Sequence, residues 1–135
     1  MRHRTGSEEA LLTVQDDLLA IERGFWTGDA EFYRQNLDEV CVTAFTEMAG
    51  AFKRHEIAGM IGDGDRWRDL RIDLEGFLEA APGVAILVYR VQATRKNGEP
   101  YAAIVSSAYI MRDGAWKMML HQQTPFEAAK SGKSA

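Results

Sequence analysis

Three dipeptides constrain the second half of the chain more firmly than any other feature. Pro82-Gly83, Asn97-Gly98 and Asp113-Gly114 each fall between apolar stretches. The last two are preferred pairs for tight hairpin turns. Ahead of the first turn, Leu70, Ile72 and Leu74 alternate with Arg71, Asp73 and Glu75, the period of a strand with one dry and one wet face. Four long strands joined by these turns form an antiparallel meander. Its dry face must be covered by a second layer.

The first half supplies that layer. Leu11, Val14, Leu18, Ile21 and Phe25 recur at spacings of three and four, with Leu12, Leu19 and Trp26 widening the stripe, so this stretch reads as an amphipathic helix. Ser7 stands at its N-cap, Glu8 and Glu9 place negative charge in the first turn, and Gly28 is positioned to end it in the left-handed conformation. Asp29 then caps a short second helix carrying Phe32, Tyr33 and Leu37, completing a bent helical hairpin. After Asp38, the run Val40, Cys41, Val42, Thr43 and Phe45 reads as a first strand, with Met48-Ala49-Gly50-Ala51 as its turn. A short third helix is expected around Arg54 to Ile61, carrying Ile57, Met60 and Ile61 and closed by Gly62-Asp63-Gly64. The order predicts an α+β domain over residues 7–127, flanked by polar, non-periodic tails at 1–6 and 128–135.

Composition narrows the function classes. A chain of 135 residues, 46% of them hydrophobic, buries roughly two-thirds of its unfolded surface without help from disulfides or metals, and the single cysteine, Cys41, has no partner in the chain. It is expected to pack rather than react. A formal charge of −4 gives no footprint for nucleic acid or an acidic membrane. The longest apolar run, Val84 to Tyr89, falls far short of the roughly 20 residues of a membrane helix. Met1-Arg2-His3-Arg4 leads into polar residues rather than an apolar signal region, so the expected location is the cytoplasm.

Certain local motifs carry a family resemblance. They are the aromatic pair and Gly-Asp junction Phe25-Trp26-Thr27-Gly28-Asp29-Ala30, the helix-to-strand passage Tyr33 to Val42, and the closing strand Asp113-Gly114-Ala115-Trp116 through Thr124-Pro125. In this order and spacing the chain resembles the nuclear transport factor 2-like superfamily, especially its SnoaL-like and ketosteroid-isomerase-like bacterial members with a cystatin-like fold, over residues 8–127. One departure is Ala51-Phe52-Lys53, where relatives often carry a Gly ahead of the third helix. The resemblance implies a cone: a strongly curved antiparallel sheet wrapped around the helical hairpin and the short third helix, with a pocket at one end. It implies a small, largely apolar ligand in that pocket and a homodimer through the outer sheet face. Some relatives are enzymes and others only bind or assemble, so the fold does not choose among these.

On that fold Trp26, Tyr33, Met60, Trp67 and Tyr89 would converge on the cone mouth. His121-Gln122-Gln123 is the most distinctive polar cluster; period two leaves open whether His121 and Gln123 or Gln122 points inward. An inward His121 offers acid–base chemistry near neutral pH. An isomerase, cyclase or hydratase of this shape needs a carboxylate base and hydroxyl donors. Glu47, Asp69 and Asp73 are the possible bases, with Asp69 and Asp73 reading as surface residues, and Tyr33, Tyr89 and Tyr101 the possible donors. A non-catalytic dimerisation module is the third reading. No cofactor is expected, because neither a phosphate loop nor a dinucleotide fingerprint is present. No metal is expected either: His3, His55 and His121 are far apart, and the Asp63-Gly64-Asp65 loop has Leu74 where calcium loops carry Glu. Arg66, Arg68 and Arg71 alternate with acidic residues and read as a solvated, paired surface.

Overall fold

The computed structural model describes residues 6–62 and 64–127, with side chains from Thr13 onward. The side chains of Ser7, Glu8, Glu9, Leu11 and Leu12, the turn residue Asp63, and positions 1–5 and 128–135 of the expected tails lie outside this description. The elements are α1 (Gly6–Thr27), α2 (Ala30–Asn36), β1 (Leu37–Ala44), β2 (Ala49–Lys53), α3 (Arg54–Gly59), β3 (Trp67–Ala81), β4 (Val84–Arg95), β5 (Pro100–Arg112) and β6 (Ala115–Phe126). They make an α+β fold with one six-stranded sheet in the order β2-β1-β6-β5-β4-β3.

The meander β3 to β6 is antiparallel, as its turn dipeptides require. The sheet as a whole is mixed, because β1 runs parallel to β6. The chain reaches β1 only after the α-hairpin and leaves β6 at the opposite end of the meander, so the two edges meet without a hairpin between them. The Met48-Ala49-Gly50-Ala51 segment is also more than a turn. Ala49–Lys53 pairs back on β1 as an edge strand, its signal weakened by two alanines and a glycine of low strand propensity.

Register shifts bend the sheet. β3 carries them between Arg68 and Arg71, Leu74 and Gly76, and Glu79 and Ala81; Asp69 takes a positive φ of 54° at the first. A further shift in the β5–β6 pair lies at Ala108/Tyr109. Each extra residue kinks its strand and increases local twist. The concave face carries Cys41 and Thr43 of β1, Leu87, Tyr89 and Val91 of β4, and Val105, Ser107 and Tyr109 of β5, all buried. Against them α1 packs Leu18, Glu22, Phe25 and Trp26. On the convex face a row runs across five strands in register: Val42 opposite Leu120, Leu120 opposite Ala108, Ala108 opposite Ile86, and Ile86 opposite Leu78. Val42, Ile86 and Leu78 in that row are exposed.

The α1–α2 junction departs from the expected cap. Gly28 is not left-handed; it is small for a different reason. A Cβ there would lie 2.5 Å from the Gly24 carbonyl oxygen and 2.8 Å from the Phe32 Cβ. Gly24 seats the Phe32 ring, and a Cβ on it would fall 2.0 Å from Phe32 Cζ. Asp29 caps α2 as expected, accepting from the Phe32 amide at 3.1 Å. The orphan carbonyls at the end of α1 are met by Arg66, which reaches in from the loop before β3 and donates to Phe25 O and Gly28 O at 2.8 Å each. Arg66 therefore reaches inward to the end of α1, where a solvated surface position was expected of it. Gly24→Ala should cost about 2 kcal/mol by overpacking, read as a lower denaturation midpoint with an unchanged slope; an unaltered midpoint would show that Phe32 relocates freely.

Candidate functional site

The open end of the cone holds one cleft with two lobes. The outer lobe, of about 740 Å³, is bordered by Trp26, Arg66, Trp67, Arg95, Tyr101 and Glu47, among others. The inner lobe, of about 240 Å³, is apolar, with Leu37, Cys41, Ile57, Met60 and Met118 on its walls. Phe25, Tyr33, Phe45, Ile61, His121 and Gln123 border both lobes. Among the described residues, no lysine or arginine lines the inner lobe.

Two aromatic arrangements build the outer rim. Trp26 and Trp67 meet edge to face with ring centroids 5.2 Å apart, and Tyr101 lies 5.0 Å from Trp67. The Arg95 guanidinium lies over both Trp67 and Tyr101, at 5.0 and 4.9 Å, a stacking that suits its planar delocalised charge. Glu47 stands at the same mouth, exposed, accepting from Thr46. Asp73 pairs with Arg71 on the surface, and Asp69 is exposed at its bulge.

Behind the cleft lies a buried polar network. Glu22 on α1 has no exposed surface. Its Oε1 accepts from the Tyr89 hydroxyl at 2.5 Å and the Ser107 hydroxyl at 3.0 Å, and its Oε2 accepts from the Tyr109 hydroxyl. Trp26 donates its indole N–H to the Tyr89 oxygen at 2.8 Å. On the other side Ser107 Oγ meets His121 Nδ1 at 2.9 Å. His121 Nε2 lies 3.0 Å from the Gln123 amide nitrogen, and Gln123 Oε1 accepts from Tyr101 at 2.5 Å. Because the Gln123 oxygen is occupied by Tyr101, its N–H₂ end donates to Nε2. That leaves Nδ1 as the protonated nitrogen of the neutral ring, donating to Ser107.

Burial pushes the Glu22 carboxyl above the usual carboxylate range, and the hydrogen bonds from Tyr109, Tyr89 and Ser107 only partly oppose it. Burial also pushes His121 down to about 4, so it is uncharged at neutral pH. The same cause raises Tyr89 and Tyr109 well above the ordinary phenol value. Cys41, buried on β1, is pushed up to about 12, which leaves a thiol rather than a nucleophilic thiolate.

The cleft brings together Trp26, Tyr33, Trp67, His121, Gln123 and Glu47, with Met60 on its inner lobe. Tyr89 does not line it. That side chain is fully buried and stands behind Trp26, because even-spaced inward positions along β4 carry it to the core beneath α1. The last strand is resolved as His121 and Gln123 inward and Gln122 outward, where it accepts from Ser106 at 2.7 Å. Glu22, Ser107, Tyr109 and Thr43 escape a reading based on apolar stripes and exposed polar clusters. A signal for Glu22 does exist: it sits one turn from both Leu18 and Phe25-Trp26, a carboxylate on the dry face of a helix.

Solved structures match this architecture. The association domain of C. elegans CaMKII superposes with a TM-score of 0.67 at 16% identity, covering 89% of this chain and 99% of that one. An NTF2-like protein of unknown function from Prochlorococcus marinus gives 0.63 at 17% identity, with 85% and 94% covered. One from Shewanella oneidensis gives 0.62 at 14%, with 81% and 97% covered. The fold is the nuclear transport factor 2-like cone. No protein-family model and no curated protein sequence matches the chain. At such identities the likeness speaks for the cone alone. Within it, no described helix is long and apolar enough to cross a membrane.

The network has a pH signature of known sign. Glu22 is raised in the folded state, so its stabilising contribution is complete below its ordinary value of 4.5 and declines as pH rises through its folded value. His121 is depressed from 6.5 to about 4, so its contribution is complete above 6.5 and declines as pH falls toward 4, by about 3 kcal/mol at most. Glu22→Gln should therefore remove the fall in stability that sets in above pH 4.5 on a stability–pH curve measured by denaturation, so that His121 alone sets the slope between pH 4 and 6.5. An unchanged slope above pH 4.5 would place the titration elsewhere.

Proposed function

We propose that this domain holds a small, largely apolar organic molecule in the inner lobe of the cone and works as a homodimer through its convex sheet face. One observation carries the ligand reading: the inner lobe is a cavity of about 240 Å³ walled by Phe25, Leu37, Phe45, Ile57 and Met118, whereas protein interiors otherwise leave few voids larger than a water molecule.

The dimer reading rests on the convex row Val42–Leu120–Ala108–Ile86–Leu78. Exposed apolar side chains in one register make a self-complementary patch that a two-fold partner covers. Likeness to the association domain of a kinase supports assembly between copies.

A second reading, acid–base catalysis on the bound molecule, draws on the hydrogen-bonded series Glu22–Ser107–His121. It can move a proton between the cavity and a carboxyl that burial holds above its ordinary range.

Met60 stands half out of the inner lobe, 57% exposed, so Met60→Trp narrows the entrance with little effect on folding. Displacement of N-phenylnaphthylamine, whose emission rises in apolar sites, should show saturable binding to the natural chain and none to this variant. Equal emission from both would remove the inner lobe as the site. Light scattering should give twice the chain mass, falling to the monomer for Ile86→Glu; a natural chain that runs as a monomer overturns the dimer.

A further inference from the structure

The two lobes of the cleft differ in charge. Among the described residues the inner lobe has no lysine or arginine on its walls, whereas the outer lobe carries Arg66, Arg95 and one carboxylate, Glu47. The two guanidiniums are engaged differently. Arg66 donates to the Phe25 and Gly28 carbonyl oxygens at the end of α1. Arg95 is exposed at the mouth, with its guanidinium over the Trp67 and Tyr101 rings at 5.0 and 4.9 Å. Among the described residues its side chain enters no hydrogen bond and no ion pair.

This arrangement sets the charge of what can bind. Stacking engages the face of a guanidinium and leaves its N–H edge for an acceptor, and that edge matches the two oxygens of a carboxylate. A cation finds no equivalent, because Arg95 already covers the Trp67 and Tyr101 rings on which an ammonium would rest. Burial raises the Tyr101 phenol, and Arg95 opposes this more strongly than Glu47 adds to it, so the positive charge outweighs the negative one at this ring. Tyr101 also links the lobes: its hydroxyl donates to Gln123 Oε1 at 2.5 Å, and Gln123 borders both. A molecule anchored at Arg95 can run past Tyr101 and Gln123 into the inner lobe. It finds about 240 Å³ there, and an apolar cavity of about 150 Å³ already admits a benzene ring. The reverse orientation would take an ionised group out of water with no cation to pair it.

We propose that the cleft takes an amphipathic monocarboxylate, its carboxylate on the N–H edge of Arg95 and its hydrocarbon body in the inner lobe. The inference rests on the ligand-holding reading above and names its ligand class. Arg95 is the recognition contact, and Trp67 and Tyr101 are its positioning residues. Their rings hold a long side chain that would otherwise lose its rotamer freedom on binding. A neutral alcohol with the same hydrocarbon body keeps the burial and loses the ion pair.

The test is displacement of N-phenylnaphthylamine from the intact chain at neutral pH by octanoate and, separately, by 1-octanol. The alcohol leaves water more readily than the ionised acid, so a preference for the acid reports the guanidinium. Octanoate should displace the probe at roughly tenfold lower concentration than the alcohol, and added salt should shrink that advantage. Arg95→Gln, at an exposed position, should remove most of the preference and leave displacement by the alcohol unchanged. Equal displacement from the natural chain, or none by octanoate, overturns the carboxylate site and leaves the apolar pocket standing; this comparison needs no variant to fold. A preference that survives Arg95→Gln intact also overturns it. If the probe itself does not bind, the ligand-holding reading falls and the carboxylate site with it.

Discussion

A carboxyl group taken wholly out of water is the interaction around which this cone is organised. Among the described residues Glu22 has no ion-pair partner; its compensation is three hydroxyls, from Tyr89, Tyr109 and Ser107. Removing an ionisable group from water costs several kcal/mol unless it is neutralised or hydrogen-bonded, so the geometry of these donors is strict. They sit on β4 and β5, and Ser107 extends the contact to His121 on β6. One helix side chain therefore fixes the rotation of α1 against three strands. Turning α1 by one residue would replace Glu22 with Ile21 or Arg23, leaving the buried tyrosine hydroxyls unmatched or facing a guanidinium.

With α1 fixed, the location of the cleft follows from the curvature of the sheet. Straight helices cannot follow strands kinked at three places along β3 and once in the β5–β6 pair. Leu18, Tyr89 and Tyr109 fill the space beneath α1. Beyond the end of α1 the helix no longer covers the sheet, and the concave face opens between α3 and the loop that carries Arg66. Arg66 makes that abrupt end tolerable, since its guanidinium meets carbonyls that would otherwise face an apolar wall. The same residue borders the outer lobe, so the group that closes the helix also shapes the mouth.

The fold was legible where local chemistry leaves no choice, and the site was legible only in part. Asn97-Gly98 and Asp113-Gly114 can hardly be anything but tight turns, and both glycines do take positive φ. The Leu18–Phe25 stripe could bury only one face. β2 and the parallel β1–β6 pair were invisible because they depend on which strand edges meet in space, a property with no local spacing. At the site, His121 and Trp67 drew attention as isolated polar and aromatic groups. Glu22 and Thr43 did not, because a carboxylate or a threonine in an apolar pattern reads as surface or as strand propensity until its neighbours are known. Ser107 and Tyr109 share this difficulty: their inward parity is plain, and their common partner lies 85 and 87 positions away.

β6 joins the two sides of the molecule. Along it Leu120 and Gln122 face the convex surface, whereas His121 and Gln123 face the cleft. Period-two alternation makes this separation unavoidable in an unbroken strand. The register shift opposite Ala108/Tyr109 inserts one extra residue between Met118 and Leu120, which lets Met118 and His121 face the same side although three positions separate them. On the proposed reading, a ligand and a partner copy bear on opposite faces of the same four residues. A partner that holds Leu120 and Gln122 in place also narrows the freedom of His121 and Gln123, and lowers the entropy that a ligand must take from them. Assembly then favours binding without any new contact to the ligand, because both draw on the order of a single strand.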